Sequence, residues 1–284
     1  MQPQTVAPVR AWIDYYRDLG IHDFYRLGEP VAIVAIEADA GFATEQSGIS
    51  PEDATNPTQP VAESYLMPPP EKLTPFNDLA PLPAVAVPAA ERESALLAIQ
   101  QEIGDCTRCP LAYAGRRKII FGDGSPAARL MFVGEGPGAD EDAQGLPFVG
   151  KAGQLLNNMI GAMGLARAEV YIANIVKCRP PANRVPEPAE ANTCSQFLLR
   201  QIDIVQPEVI VALGATAATY LLGMKQSLSS LRGRWHRCRG AKLAVTYHPA
   251  FLLRDPRQKA EAWKDLQMVM RELGLTPPAA KKNT

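Results

Sequence analysis

Strand-like and helix-like segments alternate through the second half of this chain of 284 residues. The predicted strands are the short apolar runs at residues 130–133, 170–174, 209–213 and 243–247, and the predicted helices lie at residues 154–163, 188–205, 215–222 and 259–273. This order favours parallel strands joined by helices that cover both faces of a sheet. We therefore predict an α/β fold, with three α/β/α layers and a short, mostly parallel central sheet.

The charge of the chain is unevenly distributed along its length. Residues 1–95 contain five Lys and Arg against fourteen Asp and Glu, a balance of −9. Residues 96–284 contain 24 against 16, a balance of +8. A basic segment suits a polyanionic partner such as nucleic acid, although solvated basic faces are common.

Four segments are predicted from composition. Residues 1–28 contain an amphipathic helical segment, in which Trp12, Tyr16 and Leu19 recur at helical spacing, and this helix can dock a protein partner or pack on its own domain. Residues 29–93 are rich in Pro and Ala and predict a flexible linker. The folded domain is expected at residues 94–275, followed by a disordered basic tail at 276–284. The chain has neither an apolar run of membrane-spanning length nor a signal-peptide pattern, so we expect a cytoplasmic protein without a membrane partner.

Residues 133–153, VGEGPGADEDAQGLPFVGKAG, follow the first predicted strand. Glycines such as Gly134 and Gly136 let a backbone turn tightly and approach a bound group. Open α/β sheets bind ligands at loops that leave the carboxyl ends of their strands. The loop therefore predicts a pocket with Glu135 at its bottom and Phe148 in its wall, although a surface turn with solvated acids is the alternative.

Polar residues also follow the other predicted strands. Asn174, Gly214 and His248 each lie at or just beyond a strand's carboxyl end. Since the ends of parallel strands meet at one edge of the sheet, we expect these residues to converge with Glu135.

The chain has five cysteines and no secretory signal, which argues against a disulfide framework. Cys106 and Cys109 form a CxxC pair, and Cys178 and Cys194 can complete a four-thiolate metal site. Such a site fits zinc or a [4Fe–4S] cluster, and the spacing does not decide between them. Cys238 lacks a partner at ligand spacing and is expected to be a small buried residue.

Three cations flank the predicted metal ligand at position 178, and they are Lys177, Arg179 and Arg184. A metal site beside a basic loop can hold that loop rigidly against a phosphate backbone. A solvated basic loop is the alternative.

Together, GEGPGADEDAQGLPFVGKAGQLL, the CxxC pair, NIVKCRPPANR and YHPAFLLRDP resemble the family 4 uracil-DNA glycosylases, the iron–sulfur branch of that superfamily. The match covers roughly residues 96–274 and includes four cysteines in order. The resemblance implies a uracil-DNA glycosylase-like fold and a [4Fe–4S] cluster on Cys106, Cys109, Cys178 and Cys194, with zinc as the less favoured occupant. It also implies hydrolysis of the N-glycosidic bond of deoxyuridine in DNA, which releases uracil and leaves an abasic site during base excision repair.

The resemblance further implies which residues bind the extruded base. Phe148 would stack on the ring, and the Asn174 amide would pair with O4 and N3–H of uracil and reject cytosine. The backbone at Gly136 would approach the base. Glu141 would lie near C5 and exclude thymine, with the neighbouring acids at 140 and 142 as alternatives.

Roles in catalysis and DNA binding follow in the same way. His248 would donate a hydrogen bond to uracil O2 as negative charge develops there, whereas a histidine that caps the next helix is the alternative. Glu135 would position or deprotonate the attacking water. Leu252, Leu253 and Arg254 resemble a wedge that enters the duplex where the base has left.

A second hypothesis is a non-catalytic iron–sulfur nucleic-acid-binding protein associated with replication or repair machinery through its N-terminal helix. The joint presence of Glu135, Asn174 and His248 favours the enzyme, because a binding module needs no such set. The expected partner is uracil-containing DNA, and we expect a nucleoid-associated monomer.

Overall fold

The computed structural model describes residues 74–277. The predicted N-terminal helical segment, most of the predicted linker and most of the basic tail lie outside these residues. No helix of the described part has both the length and the apolar character that crossing a membrane requires.

Six strands form one mixed sheet in the described residues, in the order β1-β3-β2-β4-β6-β5. They are β1 (Asp123–Gly124), β2 (Leu130–Gly134), β3 (Tyr171–Asn174), β4 (Val209–Leu213), β5 (His236–Cys238) and β6 (Ala241–Thr246). β3, β2, β4 and β6 run parallel to one another, whereas β1 and β5 pair antiparallel at the two edges.

Helices cover both faces of this sheet. They are α1 (Phe76–Leu79), α2 (Arg92–Ile103), α3 (Ala139–Gln144), α4 (Lys151–Ala162), α5 (Pro188–Val205), α6 (Gly214–Leu222), α7 (Leu228–Leu231), α8 (Pro249–Arg254) and α9 (Lys259–Leu273). Short 3-10 turns lie at Ala89–Glu91, Pro110–Tyr113, Arg167–Glu169, Pro181–Asn183 and Pro256–Gln258.

Alternation along the strands divides the core into two layers. Because successive strand side chains point to opposite faces, Met131 and Val133 of β2 join the apolar cluster that includes α2, α5 and α6. Leu130 and Phe132 join the cluster that includes α4 and α9. The predicted three-layer α/β/α fold is confirmed, and so are its four parallel strands. The sequence did not predict β1 and β5, which are only two and three residues long.

Residues 76–81 of the predicted linker pack on the domain. Phe76 is 1% exposed and belongs to the larger apolar cluster. Arg239, which forms an ion pair with Asp203, also donates through Nη2 to the carbonyl of Pro81 at 3.0 Å, and its backbone N–H donates to Asn77 at 2.7 Å. The end of the linker predicted at residue 93 thus differs from the structure, because one phenylalanine anchors a segment that its Pro/Ala composition makes look unstructured.

Candidate active site at the carboxyl edge of the sheet

The loops beyond the parallel strands enclose a cavity of about 460 Å³, within the usual range for ligand sites of about 300–1,000 Å³. Six residues that the sequence singled out line it together, and they are Glu135, Gly136, Glu141, Phe148, Asn174 and His248. They come from the loop after β2, the end of β3 and the segment after β6. Glu135, Asn174 and His248 therefore lie together at the carboxyl edge of the sheet, as the strand pattern predicts.

Asn174 presents an unsatisfied acceptor beside this cavity. The residue is 1% exposed, and its Oδ1 is buried without a hydrogen-bond partner. A buried polar atom left unpaired costs about 1–3 kcal/mol. A ligand that donates an N–H to Oδ1 would recover that energy, so the cavity favours a base or amide with a donor at this position.

Gly134, at the end of β2, lets two cavity residues come together. A Cβ at this position would lie 2.4 Å from Asn174 Oδ1 and 2.6 Å from Phe148 Cζ. Only a residue without a side chain leaves room for the amide and the aromatic ring at once. The glycine in this strand end is therefore part of the site's geometry.

Phe148 is held in an unusual backbone conformation. Its φ is +52°, in the left-handed region that residues other than glycine seldom adopt. Gly153 of α4 permits this, because a Cβ there would lie 1.9 Å from the Phe148 carbonyl oxygen. Arg167 donates to that carbonyl at 3.2 Å and to the carbonyl of Pro147 at 2.6 Å. These contacts fix the ring in the cavity wall.

His248 caps α8 and lines the cavity at the same time. Its Nδ1 accepts a hydrogen bond from the backbone N–H of Ala250 at 3.1 Å, so the neutral ring carries its proton on Nε2. Burial, followed by the nearby charge of Arg254, lowers the pKa of His248 to about 4. The imidazole is therefore a neutral hydrogen-bond donor at physiological pH, and its capping role selects the tautomer.

Glu135 is half-buried, and burial raises the pKa of its carboxyl above the ordinary value. A hydrogen bond from Thr216, near the N-terminus of α6, acts in the opposite direction on the same pKa. A carboxylate with a raised pKa is a better proton acceptor than a solvated one. Glu135 thus has the properties of a general base.

Cys106, Cys109, Cys178 and Cys194 line a second, smaller cavity. Backbone N–H of Lys177 donates to the Cys194 sulfur at 3.3 Å, and Arg108 and Arg116 donate to the sulfurs of Cys106 and Cys178, each at 3.6 Å. Burial raises the pKa of the Cys178 thiol to about 12 and that of the Cys194 thiol to about 11. Sulfurs that receive N–H donors suit thiolates bound to a metal centre, so these residues fit such a group. In the described part of the chain, no three His, Cys, Asp or Glu side chains are arranged to hold a single metal ion.

The chain matches known proteins over this domain. Residues 121–267 match the model of the uracil DNA glycosylase superfamily. A type-4 uracil-DNA glycosylase of Thermotoga maritima is 46% identical over 168 residues, which cover 58% of this chain and 86% of the relative. A type-4 relative from Pyrobaculum aerophilum is 42% identical over 178 residues, which cover 60% of this chain and 90% of that protein. The chain belongs to the type-4 uracil-DNA glycosylases.

A second protein of P. aerophilum supports the assignment to type 4. That organism's type-5 uracil-DNA glycosylase is 29% identical over 180 residues, which cover 51% of this chain and 78% of the relative. Within one organism, the type-4 protein is thus the more similar of the two.

Glu141 of this type-4 chain holds the loop around the cavity. Its Oε2 accepts from the N–H of Gly138 at 3.0 Å, and its Oε1 accepts from Val149 at 2.9 Å and Gly150 at 3.1 Å. The predicted contact with C5 of a base stays a prediction. Asp142, one of the alternatives, is 2% exposed and accepts from the backbone N–H of Arg117, in the segment before β1, at 2.8 Å.

Two predicted DNA contacts do not fit the structure. Lys177 is 1% exposed, because its ammonium donates to the Asn174 carbonyl at 3.1 Å and to Gln201 at 2.6 Å. Leu252 is 1% exposed, because it lies on the inner side of α8. Neither side chain is available to a phosphate or a base step.

The other predicted DNA contacts are accessible to different degrees. Leu253 is 43% exposed, and Arg254 lies beside it at the cavity. Arg184 also lines the cavity but forms a two-point ion pair with buried Glu190, at 2.8 and 2.6 Å. Arg179 donates to a side chain of its own loop at 2.8 Å.

Three residues of the type-4 site were not anticipated from sequence. Thr216 contacts Glu135, Arg167 holds the turn at Phe148, and Phe251 lines the cavity and stacks on Tyr247 with ring centroids 5.1 Å apart. Thr216 and Arg167 lie on an ordinary helix and turn outside the quoted motifs, whereas Phe251 lies within YHPAFLLRDP but was given no role there. Only the tertiary arrangement identifies them.

Proposed function

We propose that this chain removes uracil from DNA by hydrolysing the N-glycosidic bond of deoxyuridine, leaving free uracil and an abasic site for base excision repair. The observation that carries the proposal is the unpaired Oδ1 of Asn174, which lies at the cavity that Glu135 and His248 also line. A non-catalytic nucleic-acid-binding module would not need an amide with an unpaired acceptor, a neutral imidazole and a half-buried carboxylate around one cavity.

Base selection rests on Asn174 and Phe148. The unpaired Oδ1 accepts from N3–H of uracil, and the amide NH₂ donates to O4, whereas cytosine presents the opposite pattern. The Phe148 ring stacks on the extruded base, a contact worth about 1–3 kcal/mol. The cost of extrusion is a few kcal/mol and is lower for a mispair.

Bond cleavage rests on His248 and Glu135. As the bond between C1′ and N1 breaks, negative charge develops on the uracil ring, and the neutral His248 donates its Nε2–H to O2. Glu135 accepts a proton from the water whose hydroxyl adds to C1′, and the departing uracil anion takes a proton from solvent on N1 or an oxygen, which balances the one that Glu135 later returns to solvent. The carboxylate also lies close enough to the cavity to stabilise the positive sugar.

We propose that the DNA backbone lies across the cavity mouth, along α8 and the loop 179–185. Leu253 and Arg254 are the exposed residues of α8 beside the mouth, so the proposed wedge keeps these two of its three predicted residues and omits Leu252. Val185, 57% exposed, lies on the opposing loop. An apolar side chain inserted between base steps can fill the space that the extruded base leaves.

The four cysteines fit a [4Fe–4S] cluster, whose bound form supplies a rigid cross-link between three parts of the chain rather than a chemical step. Cys106 and Cys109 would hold the segment before Pro110–Tyr113, Cys178 the loop after β3, and Cys194 the helix α5. Purified anaerobically, the protein should contain about four irons and matching sulfide. Cys178→Ala should lower this content, whereas Cys238→Ala, at a buried thiol outside the cysteine cavity, should not. Stoichiometric zinc in place of iron would contradict the assignment.

We also propose that the catalytic unit binds uracil-containing DNA as a monomer and that residues 1–28 bind a protein partner. Sedimentation of the full chain should give the mass of one copy. A dimer at micromolar concentration would contradict the first part.

A single-turnover assay tests the proposed activity. An oligonucleotide with one deoxyuridine should gain an alkali-labile abasic site and release uracil, and the same oligonucleotide with thymine should not. His248→Ala should slow this reaction by about 10²–10³-fold, as when an oxyanion donor is removed. His236→Ala is the matched control, because His236 hydrogen-bonds a backbone carbonyl outside the cavity. Equal rates for the two variants would refute the role of His248.

A further inference from the structure

Lys177 lies at the cysteine cavity and contacts Asn174, which lines the cavity at the carboxyl edge of the sheet. It follows Asn174 by three residues and immediately precedes Cys178. Its ammonium donates to the Asn174 carbonyl at 3.1 Å, and the residue is also among those that line the cysteine cavity. Its backbone N–H donates to the Cys194 sulfur at 3.3 Å. Lys177 thus contacts both Asn174, at the end of β3, and Cys194, a predicted cluster ligand.

The side-chain hydrogen-bond partners of Lys177 are neutral. Its second acceptor is Gln201 Oε1 at 2.6 Å, and Gln201 itself donates to Tyr171 and to the carbonyl of Phe121. No ion pair found in residues 74–277 includes Lys177. A buried cation without a carboxylate is costly, so a lysine at this position calls for another source of negative charge.

Four thiolates bound to a cluster at the neighbouring cysteine cavity would supply that charge. Four thiolates around a cluster carry more negative charge than the metal core offsets, and nearby cations and N–H donors raise the cluster's reduction potential. Arg108 and Arg116 donate to the sulfurs of Cys106 and Cys178. Lys177 is the cation that also reaches the strand carrying Asn174.

We infer that Lys177 couples the cysteine centre to the base-reading pocket, by offsetting the charge of the thiolates and by fixing the backbone of Asn174 through its carbonyl. The inference deepens the proposed function, on which it rests. Lys177 is a positioning residue, since it touches neither the base nor the sugar. It explains why a residue in a basic motif is buried rather than presented to DNA.

Lys177→Met and Lys177→Gln separate the two roles. Methionine removes both the charge and the donor, so the cluster's reduction potential should fall, and uracil excision should slow by about 10- to 100-fold, as for other residues that orient a site's ligands. Glutamine removes the charge but keeps an N–H donor, so the potential should fall similarly while more of the excision rate is retained. Replacing a buried charge by an apolar residue of similar volume is often tolerated, so folded protein is expected.

Lys118→Met is the matched control. Lys118 also donates from Nζ to a carbonyl at 3.1 Å, that of Gln144, but in an exposed position. Its potential and excision rate should match those of the wild-type protein. A wild-type potential in both Lys177 variants, or a protein without a cluster, would overturn the charge-compensation role. A wild-type excision rate in Lys177→Met would overturn the positioning role. If the methionine variant does not fold, the reduction potential of Lys177→Gln alone tests the charge-compensation role. If the wild-type protein excised no uracil, the proposed function would fail, while the potential would still test the charge.

Discussion

Replacing Gly134 by alanine introduces one methyl group where the strand end meets the pocket. The new Cβ would lie 2.4 Å from Asn174 Oδ1 and 2.6 Å from Phe148 Cζ, inside the 3.4 Å at which ordinary contact begins. Either the amide or the ring must move. We expect the base-reading geometry to be lost while the sheet persists.

The size of the effect follows from the contacts at risk. Overpacking of this kind costs about 1–3 kcal/mol of folding stability. Two hydrogen bonds from the Asn174 amide to the base contribute about 0.5–1.5 kcal/mol each. Their loss corresponds to roughly 10- to 100-fold in kcat/KM for uracil excision.

Excision kinetics and thermal unfolding together test this prediction. Gly161→Ala is the control, because Gly161 lies in α4 with nothing within 4 Å of its added Cβ, and alanine there should stabilise the helix by about 0.5–1 kcal/mol. Both variants should retain a cooperative unfolding transition. If Gly134→Ala excised uracil as fast as Gly161→Ala, the close approach of amide and ring would not matter for activity.

Further perturbations test the proposed general base Glu135, the contact of Arg167 with the turn at Phe148, and the N-terminal boundary of the domain. Because burial raises the pKa of Glu135 and that of His248 is about 4, excision should fall at acid pH above the ordinary glutamate pKa of 4.5, and Glu135→Gln should remove this limb of the pH–rate profile. The pKa of His248 is lower in the folded protein than in the unfolded chain, so the unfolded chain binds a proton first as the pH falls. Denaturant titrations should therefore show that the free energy of unfolding falls as pH drops from 6.5 to about 4. Arg167→Met should release the turn at Phe148 and lower the single-turnover rate by about 10- to 100-fold, and an unchanged rate would show that Gly153 alone suffices. Deleting residues 1–73 should leave activity and melting temperature intact. Deleting residues 1–93 also removes Phe76, whose burial is worth about 3–5 kcal/mol, so this variant should melt at a lower temperature. Equal melting temperatures for the two deletions would refute the anchoring role of Phe76.

The sequence was most informative where local pattern and topology agree. Four apolar runs became the parallel strands, since each is buried on both faces and bounded by turn residues. Once those strands are parallel, the residues that follow them must meet at one edge. Glu135, Asn174 and His248 could therefore be grouped before any coordinates were known.

Exposure could not be predicted in the same way. Lys177 and Leu252 belong to motifs that favour DNA contact, yet tertiary packing turns both inward. Conversely, Phe76 lies in a Pro/Ala-rich segment whose composition predicts a linker, yet its burial and the hydrogen bonds of Arg239 hold the segment on the domain. Which face of a short segment is covered depends on distant elements, and local composition does not contain that information.

Glu141 and His248 show a related limit. Sequence assigned Glu141 to the base, and the structure shows its carboxylate accepting three backbone N–H groups of the loop. For His248, helix capping and a place in the cavity were alternatives, and the structure combines them, because the cap on Nδ1 fixes the proton on Nε2. Hydrogen-bond partners two to nine residues away are not distinguishable from sequence spacing alone.

The most direct test of the central claim is a crystal structure of the protein soaked with free uracil. Uracil is expected in the cavity at the carboxyl edge of the sheet, with N3–H donating to Asn174 Oδ1 at about 2.7–3.2 Å, the ring stacked on Phe148, and O2 facing His248 Nε2. Uracil bound elsewhere, or bound in the cavity with Asn174 Oδ1 still unpaired, would contradict it.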